Sequence, residues 1–144
     1  MRVTVIGLGL IGGSFALALR SKGIATELIG VESSPQHAAK ALELGIVDSV
    51  QPLQQAIEGA DLIAIAVPVD AIPQIAVKIL NRVTPNQIVI DMGSTKGELC
   101  EIISQHPARN RFVATHPMWG TEFSGPEAAT VDSFAGRNVV ICQK

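Results

Sequence analysis

At 144 residues the chain has room for one domain, spanning 1–144, with a proper core, and is too short for two ordinary ones. Apolar residues make up 47% and charged residues only 17%, the balance of a sheet buried on both faces, whose strands read as unbroken apolar runs. A net charge of −2 without a basic stripe argues against a nucleic-acid partner. No apolar run is long enough to cross a bilayer. Cys100 and Cys142 are far apart and make neither a metal spacing nor a disulfide framework. A strand begins at once, with no signal-peptide architecture before it, so the expected setting is the reducing cytoplasm, with no metal and no membrane partner.

The chain alternates strands and helices. Val3 to Ile6 is a short apolar strand running into a glycine-rich turn, and a helix follows from about Ile11 to Lys22, stopped by Gly23. Leu28 to Val31 is the second strand. Ser34 is the expected N-cap of the next helix, with Pro35 at its first position and an end near Gly45. Ile46 to Val50 is a weak third strand and Leu53 to Glu58 a short helix. Leu62 to Val67 is the clearest buried strand, halted by Pro68 and followed by a helix from Val69 to Asn81. Gln87 to Asp91 is a fifth strand and Thr95 to Ser104 a helix, with Ser94 or Thr95 expected to cap it. Phe112 to Thr115 is a sixth strand and Asn138 to Cys142 a seventh. Strands separated by helices imply crossover connections, hence an α/β fold of the doubly wound Rossmann type: a mainly parallel sheet with helices on both faces. The irregular stretch from His116 to Arg137 is too long for a neutral connection, and loops of that length are usually functional.

The glycine turn carries the strongest chemistry. Gly7, Gly9 and Gly12 stand as G-x-G-x-x-G between a strand and a helix. The first permits the tight turn, the second lets a pyrophosphate approach the backbone, and the third lets helix and strand pack closely. The whole segment Gly7, Leu8, Gly9, Leu10, Ile11 and Gly12 is the expected phosphate cradle, facing the ligand with N–H groups and the positive end of the helix dipole. A bare glycine-rich loop would not explain Glu32, 20 residues after Gly12 at the end of the second strand, where a carboxylate accepts hydrogen bonds from ribose hydroxyls. That carboxylate repels the extra phosphate of NADP, and the residues after Glu32, beginning with Ser33, include no Arg or Lys before His37, so NAD is the expected cofactor. Ser33 itself, counted with the cofactor-binding residues, can hydrogen-bond a phosphate, so the preference for NAD is not absolute.

Two further segments sit at carboxyl ends of strands, where ligands bind in open parallel sheets. Asp91-Met92-Gly93-Ser94-Thr95-Lys96 follows the fifth strand, and His116-Pro117-Met118-Trp119-Gly120-Thr121-Glu122 the sixth. The unperturbed pKa of an imidazole lies near the working pH, so His116 can take a proton from a substrate alcohol as hydride leaves. Ser94 can hydrogen-bond the imidazole and fix its orientation. The plainer alternatives are a turn histidine before a proline and a serine that only caps a helix. His37 and His106 carry no comparable pattern: one lies on a polar helix face, the other in a loop. Trp119 is either a cap over the site or packing.

These segments, with Val5-Ile6-Gly7-Leu8-Gly9-Leu10-Ile11-Gly12-Gly13-Ser14 and Ala66-Val67-Pro68, resemble the N-terminal domain of prephenate dehydrogenase and of the related arogenate and cyclohexadienyl dehydrogenases. The glycine turn and Ala-Val-Pro are common to many NAD enzymes; the aspartate-to-lysine and His-Pro-Met-x-Gly-Thr segments are far more specific. The resemblance covers essentially the whole chain. It implies NAD-dependent oxidative decarboxylation of prephenate to 4-hydroxyphenylpyruvate, for tyrosine synthesis. It implies His116 as the group that polarises or deprotonates the substrate hydroxyl, Ser94 as its hydrogen-bonding partner and a substrate ligand, and Thr121 and Glu122 as part of the substrate site. Val67 and Pro68 join the cofactor site on the same ground, and Lys96 orients its loop.

The family continues into a C-terminal helical domain that dimerises and supplies basic groups for the substrate carboxylates, whereas this sequence stops at Lys144, and Arg111 and Arg137 are no obvious substitutes. The expectation is a fragment of a homodimeric enzyme that binds NAD but turns prephenate over poorly alone. Trp119 also departs from the family, where a small residue is common. A non-enzymatic NAD-binding module, arogenate as the substrate, and a hydroxy-acid dehydrogenase or imine reductase of similar fold stand as alternatives.

Overall fold

The computed structural model describes residues 1–121 and 123–142. Seven strands form one sheet in the order β3-β2-β1-β4-β5-β6-β7. They are β1 (Arg2–Ile6), β2 (Glu27–Val31), β3 (Ser49–Val50), β4 (Leu62–Ile65), β5 (Ile88–Asp91), β6 (Phe112–Pro117) and β7 (Val139–Cys142). All neighbours run parallel except β7, which is antiparallel to β6. The strand order reverses at β1, which creates a crevice at the carboxyl ends of β1 and β4.

The helices are α1 (Leu10–Ser21), α2 (Pro35–Glu43), α3 (Leu53–Ile57), α4 (Ile72–Leu80) and α5 (Gly97–Ser104). Each sheet face has its own core. Val3, Val5, Leu8 and Leu28 pack with Ala16 of α1 and Ala41 of α2 on one. Ile6, Ile63, Ile65 and Val89 pack with Ile57 of α3, Ile79 of α4 and Ile103 of α5 on the other. The central strands are therefore apolar at successive positions, because both faces are covered. The doubly wound Rossmann arrangement expected from the alternation is present.

Several boundaries differ from the sequence reading, each for a local reason. The third strand shrinks to two residues, because Ile46 and Val47 bury themselves under α1 and α2 instead of pairing. The helix expected from Val69 begins as a 3-10 turn, Val69–Ala71, and becomes α-helical only at Ile72, with Pro73 in its first turn. Gln87 stands before β5, its side-chain amide donating to the carbonyls of Ile57 at 2.6 Å and Ala60 at 2.8 Å. Ser34 caps α2 as expected, its Oγ accepting from His37 N–H at 3.3 Å. Neither Ser94 nor Thr95 caps α5: that helix starts at Gly97, with Lys96 at the cap position and no side-chain cap bond. β6 runs on through His116 to Pro117, because β7 folds back on it and pairs Thr115 with Ile141, His116 with Val140 and Pro117 with Val139. No helix among the described residues is long and apolar enough to cross a membrane.

Candidate active site

The glycine turn is dictated from two sides. Gly7 has φ +92°, and a Cβ on it would lie 2.5 Å from the Ala66 carbonyl oxygen, so only glycine fits between β1 and β4. A Cβ on Gly12 would fall 1.9 Å from the Gly7 oxygen. Gly9 is different: a Cβ there would meet no heavy atom within 4 Å. The protein does not need glycine at this position, so its absent side chain leaves room for something outside the chain. Gly9 is also the N-cap of α1 and offers no side-chain cap. The first-turn N–H groups of a helix have no intrahelical partner and suit an anion.

A cavity of about 550 Å³ opens above this turn. Gly7 and Gly9 form its floor, Glu32 and Ser33 close it at the end of β2, and Val67 and Pro68 close it after β4. Glu32 Oε1 accepts from Leu8 N–H at 3.0 Å and Oε2 from Ser34 N–H at 3.1 Å. A carboxylate has about four acceptor positions, so capacity remains for ribose hydroxyls. No Lys or Arg is among the described residues lining the cavity. His37 does line it, a role missed when that residue was placed on a polar helix face.

A second cavity, about 290 Å³, adjoins the first at Val67, which lines both. Ser94 and Met92 enter it from the loop after β5, His116 and Trp119 from the end of β6, and Ile11 from the first turn of α1. Ser94 and His116 are thus brought to one cavity, although no hydrogen bond joins them in this structure. The two cavities together run from the acidic end of β2, across the helix N-terminus, to the histidine.

Asp91, fully buried at the end of β5, organises the histidine end. Its Oδ1 accepts from Thr115 N–H at 3.1 Å, the residue before His116, and its Oδ2 accepts from Gly93 N–H at 3.0 Å, the residue before Ser94. Lys96 closes an ion pair onto the same Oδ2. The loop-orienting part expected of Lys96 is therefore a buried charge pairing. The sequence reading passed over Asp91 itself, whose signal was a carboxylate at the end of an apolar strand.

The long connection after β6 folds back over α1. Thr130 N–H donates to the buried Ser14 Oγ at 3.0 Å, and Ala129 packs where a Cβ on Gly13 would come within 2.9 Å of it. The small residues Gly13 and Ser14 thus seat this loop on the helix that starts at the glycine turn.

Not every expected site residue lines a cavity. Leu8 is a core residue whose N–H is taken by Glu32. Leu10 and Gly12 line neither cavity. Thr121 is exposed and accepts from Phe123 N–H at 3.2 Å. Glu122 lies outside the described residues. His106 binds Asn81 Oδ1 at 2.8 Å, away from the site. A larger depression, about 790 Å³, lies between α3 and the end of α4. Its described lining is Pro52, the half-buried Leu53 and exposed lysine, arginine and amide side chains, without the glycine turn or His116, so it is not the candidate site. Among the described residues no cluster of His, Cys, Asp or Glu could hold a metal ion.

Comparison with known proteins identifies the family. Residues 15–144 match the family model described as prephenate dehydrogenase, nucleotide-binding domain. Prephenate dehydrogenase of Bacillus subtilis (strain 168) is 34% identical over 130 residues, 88% of this chain and 35% of that protein. The crystal structure of prephenate dehydrogenase from Aquifex aeolicus in complex with hydroxyphenyl propionate and NAD+ superposes with a TM-score of 0.88 at 31% identity, over 100% of this chain and 51% of that one. Synechocystis arogenate dehydrogenase gives 0.87 at 32% identity, over 98% and 49%. The chain thus spans about a third to a half of the length of the relatives it matches. It belongs to the prephenate dehydrogenase nucleotide-binding domain family.

Proposed function

We propose that this chain is the NAD-binding and catalytic-histidine domain of a cytoplasmic enzyme that converts prephenate oxidatively to 4-hydroxyphenylpyruvate and carbon dioxide, a step of tyrosine synthesis. One observation carries the reading. His116 and Ser94 converge from separate strands on a cavity that adjoins, at Val67, the cavity holding the glycine turn and Glu32. A protein that only held a dinucleotide would have no need of a proton acceptor at that end. The relatives named prephenate dehydrogenase and the NAD+ in the Aquifex aeolicus complex support the assignment.

The chain's residues fit the dinucleotide. The open space at Gly9 admits a pyrophosphate against the N-terminus of α1. Glu32, with no Lys or Arg among the described residues beside it, favours NAD over NADP. NAD, when bound, supplies the hydride acceptor. His116 would take the hydroxyl proton as the carbon–hydrogen bond gives up its hydride; the electron pair of the carbon–carboxylate bond would then complete the aromatic ring as carbon dioxide leaves, and the proton would return to the phenolate oxygen. In this reading Ser94, which lines the same cavity, hydrogen-bonds the same hydroxyl. The groups that hold the substrate carboxylates, and a homodimeric assembly, belong in this proposal to the part of the enzyme beyond the matched half.

The test is NADH formation from prephenate and from arogenate by the full-length protein and its His116→Asn variant. Rapid formation from prephenate that falls about 10²–10⁴-fold in the variant, with NAD binding retained, supports the reading. Faster turnover of arogenate, the substrate named for the Synechocystis relative, transfers it to that substrate. No NADH from either overturns it.

A further inference from the structure

His37 is a basic side chain in the dinucleotide cavity that no other residue uses. It is the third residue of α2 and lines the cavity with Glu32, Ser33 and Ser34. Its backbone N–H is taken by Ser34 Oγ. Neither ring nitrogen has a hydrogen-bond partner among the described residues, and neither is sealed off from solvent. The charged groups around it are carboxylates. Glu32, in the same cavity, is held in place by the N–H groups of Leu8 and Ser34. Glu127 comes from the 3-10 turn Pro126–Ala128, which packs on α2. Its Oε2 would lie 2.8 Å, and His37 Nε2 3.7 Å, from a Cβ on Gly125. β3, also against α2, brings only Ser49 and Val50. On α2 itself Lys40 is paired with Glu43.

We propose that His37 is a cofactor-selectivity residue, whose protonated imidazole donates to the 2′-phosphate of NADP beside the ribose position that Glu32 guards. An acid at that position excludes the 2′-phosphate, and a nearby basic group accommodates it. No Lys or Arg is among the described residues lining this cavity, so the imidazolium is the one cation that the described lining can supply. Imidazoles gain their charge between about pH 8 and pH 5. The preference for NAD is therefore strict in alkali and narrows in acid. The inference deepens the proposed NAD preference and is independent of the choice of substrate.

The test is calorimetric titration of the full-length protein with NAD+ and with NADP+ at pH 8 and pH 6, for the wild type, His37→Gln and His37→Lys. The quantity read is the ratio of the NADP+ to the NAD+ dissociation constant. The 2′-phosphate itself gains a proton over this range, its second pKa being about 6, and His37→Gln measures that contribution. The ratio is expected to fall on acidification about tenfold further in the wild type than in His37→Gln, the scale of one charge-assisted hydrogen bond. His37→Lys, charged at both pH values, is expected to bind NADP+ at pH 8 about tenfold more tightly than the wild type. Melting temperatures report whether the variants fold. An equal fall in the wild type and His37→Gln overturns the proposal, as does His37→Lys with no gain for NADP+ at pH 8 or a wild type that fails to bind NADP+ at pH 6. No substrate enters the titrations, so a wild type that forms no NADH from prephenate or arogenate sinks the dehydrogenase reading and leaves these outcomes standing.

Discussion

Leu8 N–H donates to Glu32 Oε1 at 3.0 Å, so the acid at the end of β2 holds the backbone of the glycine turn after β1. One carboxylate therefore shapes the phosphate cradle and presents its remaining lone pairs to the ligand cavity. Replacing Glu32 with Ala removes both functions. NAD affinity is expected to fall about 10–100-fold, because hydrogen bonds to a charged acceptor are the stronger kind. Glu32→Gln removes the negative charge but keeps one acceptor oxygen, so it narrows the preference for NAD over NADP while losing less NAD affinity. Calorimetric titration of each variant with both dinucleotides checks this, and equal affinities of wild type and Glu32→Ala for NAD would falsify the assignment.

The buried pair of Asp91 and Lys96 gives a stability prediction. Asp91 is fully buried and Lys96 nearly so. Lys96→Met leaves the carboxylate dry with only two N–H donors, and removal of one partner from such a pair costs about 3–5 kcal/mol. The double variant with Asp91→Asn is expected to be more stable than Lys96→Met alone, because no uncompensated charge remains. Urea unfolding of the three proteins measures the difference. Activity is expected to drop in each, since the same carboxylate fixes the residues next to Ser94 and His116.

That pair also shows where the sequence was opaque. The sheet and its helices were legible because burial on two faces writes apolar runs into β1 and β4, and a strand, three spaced glycines and an acid are local patterns. The α5 start was misread because Ser94-Thr95 is a good capping dipeptide. Asp91 overrides it by drawing Gly93 N–H and Lys96 inward, so the chain turns helical only at Gly97. The seating of the loop on Ser14 joins residues 116 positions apart, and no periodicity encodes such a contact. Leu8 is expected at the cofactor from its place in the glycine pattern; in the turn after β1 its side chain packs into the core.

Asp48 links the start of β2 to α1 and carries a pH dependence. Its carboxyl is held below the usual carboxylate range, first by the Leu28 N–H that donates to Oδ2 at 2.8 Å and then by Arg20 at 2.9 Å, with burial opposing. A lowered folded-state value means the stabilisation is full above the unfolded value of about 3.9 and is lost as pH falls through the folded value. Asp48→Asn is therefore expected to be less stable than wild type at pH 7, and the gap is expected to close as pH falls through the lowered folded-state value. The side chain is 44% exposed, so solvent screening keeps the difference to about 1 kcal/mol or less. Urea midpoints across that range test it, and a gap that widens on acidification refutes the sign.

The contrast between Gly9 and Gly12 separates folding from binding within one motif. A Cβ at Gly12 collides with the Gly7 carbonyl at 1.9 Å, and that oxygen belongs to backbone fixed between β1 and β4. Gly12→Ala is expected to cost about 3 kcal/mol or more, at the upper end for overpacking. A Cβ at Gly9 meets nothing within 4 Å, and its φ of −85° suits any residue. Gly9→Ala is expected to fold with a loss within about 1 kcal/mol, the scale of a poorer N-cap. Its methyl group would nonetheless stand where the pyrophosphate approaches, so NAD affinity is expected to fall by more than about tenfold, or 1.4 kcal/mol. Unfolding curves and NAD titrations on the two variants decide it. A Gly9→Ala protein that is stable and binds NAD as tightly as the wild type would show that the space above the turn belongs to no dinucleotide.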